Sequence, residues 1–149
     1  MSLLEKLDAD FKEALKSKNA DKLSLLRLIR SAVKNFEIAK QAGASDEDVV
    51  EILQREIKQH RETVAGFQKA GRPEEVAKQE AEIAVLQSYL PPALSSTELK
   101  DVIDKAIEAT QAQGLGDIGK VMGAVMPQVK GRATGDEVGG MVREILEKK

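Results

Sequence analysis

The chain has 149 residues, 42% hydrophobic, 32% charged and only 3% aromatic, with a formal net charge of -2. That mix excludes wholesale disorder, and the near balance of charge excludes a nucleic-acid binder recognisable by its overall charge. With neither Cys nor Trp, the chain forms no disulfide, offers no thiol nucleophile and has no ladder of rings on which bases could stack.

Helix punctuation is legible from the first residues. Ser2-Leu-Leu-Glu5 reads as a capping box, the Ser hydroxyl taking a first-turn N–H and the Glu reaching back. Leu3, Leu4, Leu7, Phe11, Ala14 and Leu15 then recur on one face as far as Lys18-Asn19. A second helix, Ala20 to about Ala42, turns Leu23, Leu26, Ile29, Val33 and Phe36 inward and stops at Gly43. Ser45-Asp-Glu-Asp48 caps a third, which runs to Ala70 and ends at Gly71. Pro73 opens a fourth at its first turn, where the missing N–H is harmless, and Tyr89-Leu-Pro-Pro92 ends it.

After this proline pair the pattern restarts. Ser95-Ser-Thr-Glu98 caps a helix with Leu99, Val102, Ile103, Ala106 and Ile107 inward, closed by Gly114. A short helix from about Asp117 to Met126 is ended by Pro127, and Thr134-Gly-Asp-Glu137 caps the last, along Val138, Met141, Val142, Ile145 and Leu146. No window alternates with β-branched enrichment, so no sheet is expected. The expected fold class is all-α, with a four-helix domain over 1–90 followed by a three-helix domain over 95–149. No segment approaches the ~20 apolar residues of a membrane span. The start lacks the layout of a secretory signal, so a soluble cytoplasmic protein is expected.

Charge is uneven within this frame. Residues 11–40 carry eight cations and three acids, and residues 46–85 carry six cations and ten acids. Arg27, Arg30 and Lys34 share a helix face opposite the Leu26/Ile29/Val33 seam, either as solvated surface or as a secondary basic patch. Catalytic chemistry is not apparent. His60 is the single histidine, read as a surface residue despite Glu56 one turn before it. No Ser is framed as G-x-S-x-G, no phosphate-binding glycine loop is present, and the expected catalytic, metal and cofactor sets are empty.

Residues 116–138 differ from everything else. They hold five glycines and three cations, with no acid between Ile118 and Gly135. Gly119 and Gly123 lie four apart on one helix face, where a missing side chain permits close packing of a neighbouring backbone. Lys130-Gly131-Arg132 reads as a loop ahead of a helix N-terminus, with two cations and exposed backbone N–H groups suited to phosphate.

The chain resembles the YqeY-like proteins of the GatB/YqeY family over essentially its whole length. The matching stretches are Leu23-Ser-Leu-Leu-Arg-Leu-Ile-Arg30, Leu53-Gln-Arg-Glu-Ile-Lys58, Tyr89-Leu-Pro91, Gly119-Lys-Val-Met-Gly-Ala-Val-Met126 and Lys130-Gly-Arg-Ala133. The last two also resemble the helical tail of the B subunit of the tRNA-dependent Asp/Glu amidotransferase. That resemblance implies a non-catalytic module that binds tRNA or associates with an aminoacyl-tRNA amidotransferase or synthetase. It places Lys120, Lys130 and Arg132 on the basic positions of the motif, shaped by Gly119, Gly123 and Gly131. The alternatives are a carbon–nitrogen ligase using glutamine as amide donor, and a helical protein-interaction module that binds no RNA. Gly139-Gly140 in the last helix and the acids Asp136 and Glu137 beside the motif depart from an ideal basic helical surface.

Overall fold

A computed structural model describes residues 1–149, which are 79% helical with no strand. The all-α expectation holds. Seven α-helices form: α1 (Leu3–Ser17), α2 (Ala20–Lys40), α3 (Asp46–Lys69), α4 (Pro73–Gln87), α5 (Ser96–Thr110), α6 (Ile118–Val129) and α7 (Gly135–Glu147), with a 3-10 turn at Leu115–Asp117 before α6. They fall into two compact units, Met1–Leu90 and Pro91–Lys149. No helix is long and apolar enough to cross a membrane.

In the first unit α3 and α4 form the largest helix pair, α1 packs along α2, and both α1 and α2 touch α3. Leu7, Leu26, Ile29, Leu53 and Leu86 are completely buried at its centre. Each contributes roughly 1.5–3 kcal/mol relative to leaving it exposed. In the second unit α6 lies against α5 and α7. Its Val121, Val125 and Val129 repeat every fourth residue and are fully buried with Ile103, Val138 and Val142. Leu15, expected inward, is 46% exposed.

Helix starts follow from local side-chain chemistry. Ser2 and Ser45 both form complete capping boxes, with Glu5 and Asp48. Asn19, Ser95 and Thr134 each accept one first-turn N–H. Asp46 at the start of α3 also accepts the Leu3 N–H at 3.0 Å, tying the N-termini of α1 and α3 together.

Helix ends depart from the glycine-based reading. Gly71 does sit left-handed at φ +67 after α3, with Arg72 N–H donating to Phe67 and Gly71 N–H to Gln68, the Schellman pattern. The second and fifth helices do not stop at Gly43 and Gly114. They turn earlier, at Gln41 (φ 59) and Gln111 (φ 56). A non-glycine residue in this region carries a local penalty of about 1 kcal/mol, set against the helix-end bonds it allows, Ala42 N–H to the Glu37 carbonyl and Ala112 N–H to the Ile107 carbonyl. Pro127 does not end α6, which continues to Val129. A proline in the last turn removes a single bond, and the residue left without that bond, Gly123, is exposed and open to water.

At the far end of the first unit Tyr89 is buried. Its hydroxyl donates to Asp10, and Lys6 lies 5.3 Å from the ring centre. Burial, reinforced by the Asp10 carboxylate, pushes the Tyr89 phenol well above its usual range. At the start of α3 the Lys40 ammonium donates to Asp48 at 2.6 Å. Together with the Ser45 N–H at 2.9 Å, it holds the Asp48 carboxyl at about 2, below the usual 3.8. A folded-state value below the unfolded one contributes stability that is present above about pH 4 and lost as pH falls through about 2. Asp48→Asn is therefore expected to be less stable than the parent at neutral pH. The gap in thermal unfolding temperature should close between about pH 4 and pH 2; a gap independent of pH contradicts the assignment.

Candidate functional site

The α6 helix presents two sides. Val121, Val125 and Val129 face the core, while Gly119, Lys120, Gly123 and Pro127 are exposed on the other side. Close packing does not explain these glycines. A Cβ built at Gly119 or Gly123 meets nothing within 4 Å, and the same holds for Gly116. Glycine in a helix is destabilising by up to about 1 kcal/mol relative to Ala, and here no neighbour within the chain requires it. Gly139 of α7 does stand near another helix, its Cβ position lying 3.8 Å from the Met122 methyl.

Lys120 is the most open of the candidate cations, its side chain 64% exposed and 3.8 Å from Asp117 Oδ1. Asp117 in turn accepts the Gln113 N–H at 2.9 Å, closing the turn before α6. The stretch Lys130-Gly131-Arg132 lies at the other end of the helix, about 10 Å beyond Gly123 at 1.5 Å per residue. Here the expectation of exposed backbone donors is corrected. Gly131 is buried with φ +82, and the turn it makes lets the Arg132 and Ala133 N–H groups donate to the Val129 carbonyl at 2.8 and 3.0 Å. Those donors complete the end of α6 and are not available to a ligand.

Arg132 has a structural task that sequence reasoning missed. Its Nε donates to the Pro92 carbonyl at 2.9 Å, its own carbonyl accepts the Leu94 N–H at 3.0 Å, and its Nη2 lies 3.8 Å from Glu98 Oε2. The side chain remains 38% exposed. Arg132 thus fastens residues 92–98 to the end of α6 and keeps one edge in solvent. Nothing in the local sequence signals a partner 40 residues away.

The secondary patch divides in the same way. Arg27 and Lys34 are exposed. Arg30 pairs with Asp8 Oδ1 at 3.1 Å, and its guanidinium carbon sits 4.2 Å from the Phe11 ring centre, so it pins α2 to α1.

His60 is not a surface residue; it is 8% exposed. Its Nδ1 donates to the Glu56 carbonyl at 2.8 Å, and its Nε2 faces Glu82 Oε2 at 2.9 Å. Both ring nitrogens are committed within the α3–α4 pair, so the imidazole activates no hydroxyl. Glu82 of α4 is its partner. An open cleft of about 580 Å³ lies at the C-terminal ends of α5 and α7, beside Asp104, Glu108, Gln111 and Lys149. It includes none of the candidate residues. No group of three or more His, Asp or Glu is placed to hold a metal ion.

Comparison with known proteins adds identity to this geometry. The profile described as YqeY-like protein matches residues 4–146. A protein of Pyrenophora tritici-repentis named "Altered inheritance of mitochondria protein 41, mitochondrial" is 31% identical over 147 residues, 97% of this chain and 81% of its own length. Proteins of the same name from Eremothecium gossypii and Saccharomyces cerevisiae are 31% and 26% identical. They are matched over 64% and 72% of this chain and 54% and 60% of their own lengths. These names overturn the expectation of a cytoplasmic protein and point to mitochondria. The expectation rested on the lack of an apolar span and of a secretory signal. Neither observation distinguishes one aqueous compartment from another, since the same hydrophobic burial drives folding in each.

Proposed function

The chain belongs to the YqeY-like family, and from that premise we propose that it is a non-catalytic helical adaptor that contacts tRNA. The second unit supplies the contact, and the partner is an aminoacyl-tRNA amidotransferase or synthetase. The observation that carries this reading is the outer side of α6, where Gly119 and Gly123 stand beside open space next to the exposed Lys120. A surface without side chains lets a sugar–phosphate backbone approach closely, and cations at either end supply attraction. The resemblance to the amidotransferase B-subunit tail supports the same assignment. Lys130 and the exposed edge of Arg132 extend the cationic line, and the buried Gly131 sets its turn. Phosphate contact dominates, because the surface has no ring on which a base could stack.

Two measurements test it. In an electrophoretic assay against total tRNA, the full chain is expected to bind without strong tRNA preference and to weaken steeply as salt rises. Binding that is absent at low salt, or unaffected by salt, contradicts the reading. The purified chain is also expected not to hydrolyse glutamine or amidate misacylated tRNA, since such chemistry needs an activated nucleophile. Glutamine turnover abolished by a single substitution in this chain replaces the adaptor reading with the ligase one.

A further inference from the structure

The outer side of α2 has features that tRNA contact does not use. At 100° per residue, Arg27, Leu28, Ser31, Lys34, Asn35 and Ile38 fall within about a third of the helix circumference, and all six are exposed. Leu28 is 46% and Ile38 67% exposed. Isolated exposed aliphatics are ordinary, but two on one side of one helix form a pattern. They stand ten residues apart, about 15 Å along the axis, with the small Ser31 and Asn35 between them. No acid occurs from Lys22 to Phe36. Arg27 and Lys34 form none of the chain's ion pairs, whereas Arg30, Asp8 and Phe11 fix the helix from its other flank.

We propose that this side of α2 is a docking surface for an acidic amphipathic helix of a partner protein. Leu28 and Ile38 would take apolar side chains spaced about three turns apart, and Arg27 and Lys34 would take the flanking carboxylates. A phosphate backbone satisfies the two cations but gains nothing from the two aliphatics. A second copy of this chain fits poorly. Its acid-rich stretch, residues 46–85, exposes no large apolar side chain, the remaining exposed ones being Met1, Leu15 and Leu115. The proposal does not depend on tRNA contact, which belongs to α6.

The test is fluorescence anisotropy of the full chain with a labelled synthetic peptide about three to four helical turns long. The peptide carries leucines along one side and glutamates beside them. Saturable binding is expected with a dissociation constant of about 10–100 µM, the range of a small transient interface. A scrambled peptide of the same composition should bind at least tenfold more weakly. Leu28→Ser with Ile38→Ser should weaken binding about tenfold or more, with the helical circular dichroism unchanged. Arg27→Glu with Lys34→Glu should do the same, and a peptide with lysines in place of the glutamates should restore binding to that variant. Equal affinity for the ordered and scrambled peptides overturns the proposal, as does the absence of saturable binding. Loss of tRNA binding in Arg27→Glu with Lys34→Glu, with no peptide binding by the parent, makes the surface an RNA site and also overturns it. Self-association abolished by the serine pair does so in favour of a second copy.

Discussion

Replacing His60 by Leu is expected to destabilise the first unit by about 2 kcal/mol, lowering its melting temperature by roughly 10 °C. The Leu side chain fills most of the space between α3 and α4, so the loss comes mainly from Glu82. Its carboxylate, 20% exposed, is left facing a hydrocarbon surface without the ring nitrogen that met it at 2.9 Å. A polar group stranded in this way loses its hydration and gains no compensating bond. Adding Glu82→Leu should then recover most of the loss, because removing both partners of a buried polar pair is often close to neutral. Thermal unfolding of the two variants distinguishes the outcomes. A single variant as stable as the parent, or a double variant worse than the single, contradicts the role assigned to this pair.

The second expectation concerns the glycines of α6 and has opposite signs in two measurements. Gly119→Ala with Gly123→Ala should stabilise the second unit by up to about 2 kcal/mol, since each glycine gives up as much as about 1 kcal/mol of helix propensity. The new methyl groups meet nothing within 4 Å, so no repacking penalty offsets the gain. The melting temperature of that unit should rise by roughly 10 °C. If a phosphate backbone approaches this surface, the same methyl groups hold it off, and tRNA affinity should fall about tenfold. Greater stability with unchanged affinity would leave the glycines without a part in RNA contact. Reduced stability would mean that they serve a packing role absent from the structure.

What could be read from the sequence follows the range of the interactions involved. Helix starts were legible because a Ser or Thr cap and its N–H lie within three residues, as at Ser2, Ser45, Ser95 and Thr134. Helix ends were less so. Gly71 marks one, but Gln41 and Gln111 turn left-handed with no glycine to announce it, and the nearby Gly43 and Gly114 misdirect. The apolar lines identified the contributions of α1, α2, α5 and α7 to the two cores, since burial in a helix pair obeys a 3.6-residue period, but not those of α3 and α4, where Val49, Ile52, Leu53, Ile57 and Leu86 are buried. Long-range polar partners were invisible. His60 finds Glu82 22 residues away, and Arg132 finds Pro92 40 residues away, so His60 reads as a surface residue and Arg132 only as a phosphate-binding candidate. The sequence groups the candidate cations of the second unit, but Lys120 stands at the start of α6 and Lys130 and Arg132 beyond its end, and the Arg132 and Ala133 N–H groups are consumed by the turn at Gly131.

Arg132 also decides how the central claim should be tested. Replacing it with Ala would release residues 92–98 and confuse loss of contact with loss of structure, so Arg132 is left in place. The most direct measurement is the salt dependence of tRNA affinity for the parent and for Lys120→Ala with Lys130→Ala, each checked for helical content. Every phosphate contact contributes about -0.7 to -0.9 to the slope of log affinity against log salt. If both lysines touch phosphate, the slope of the variant should be flatter by roughly one and a half units, with weaker binding at low salt and little difference at high salt. A folded variant that binds tRNA with the parent's affinity and the parent's slope contradicts the account.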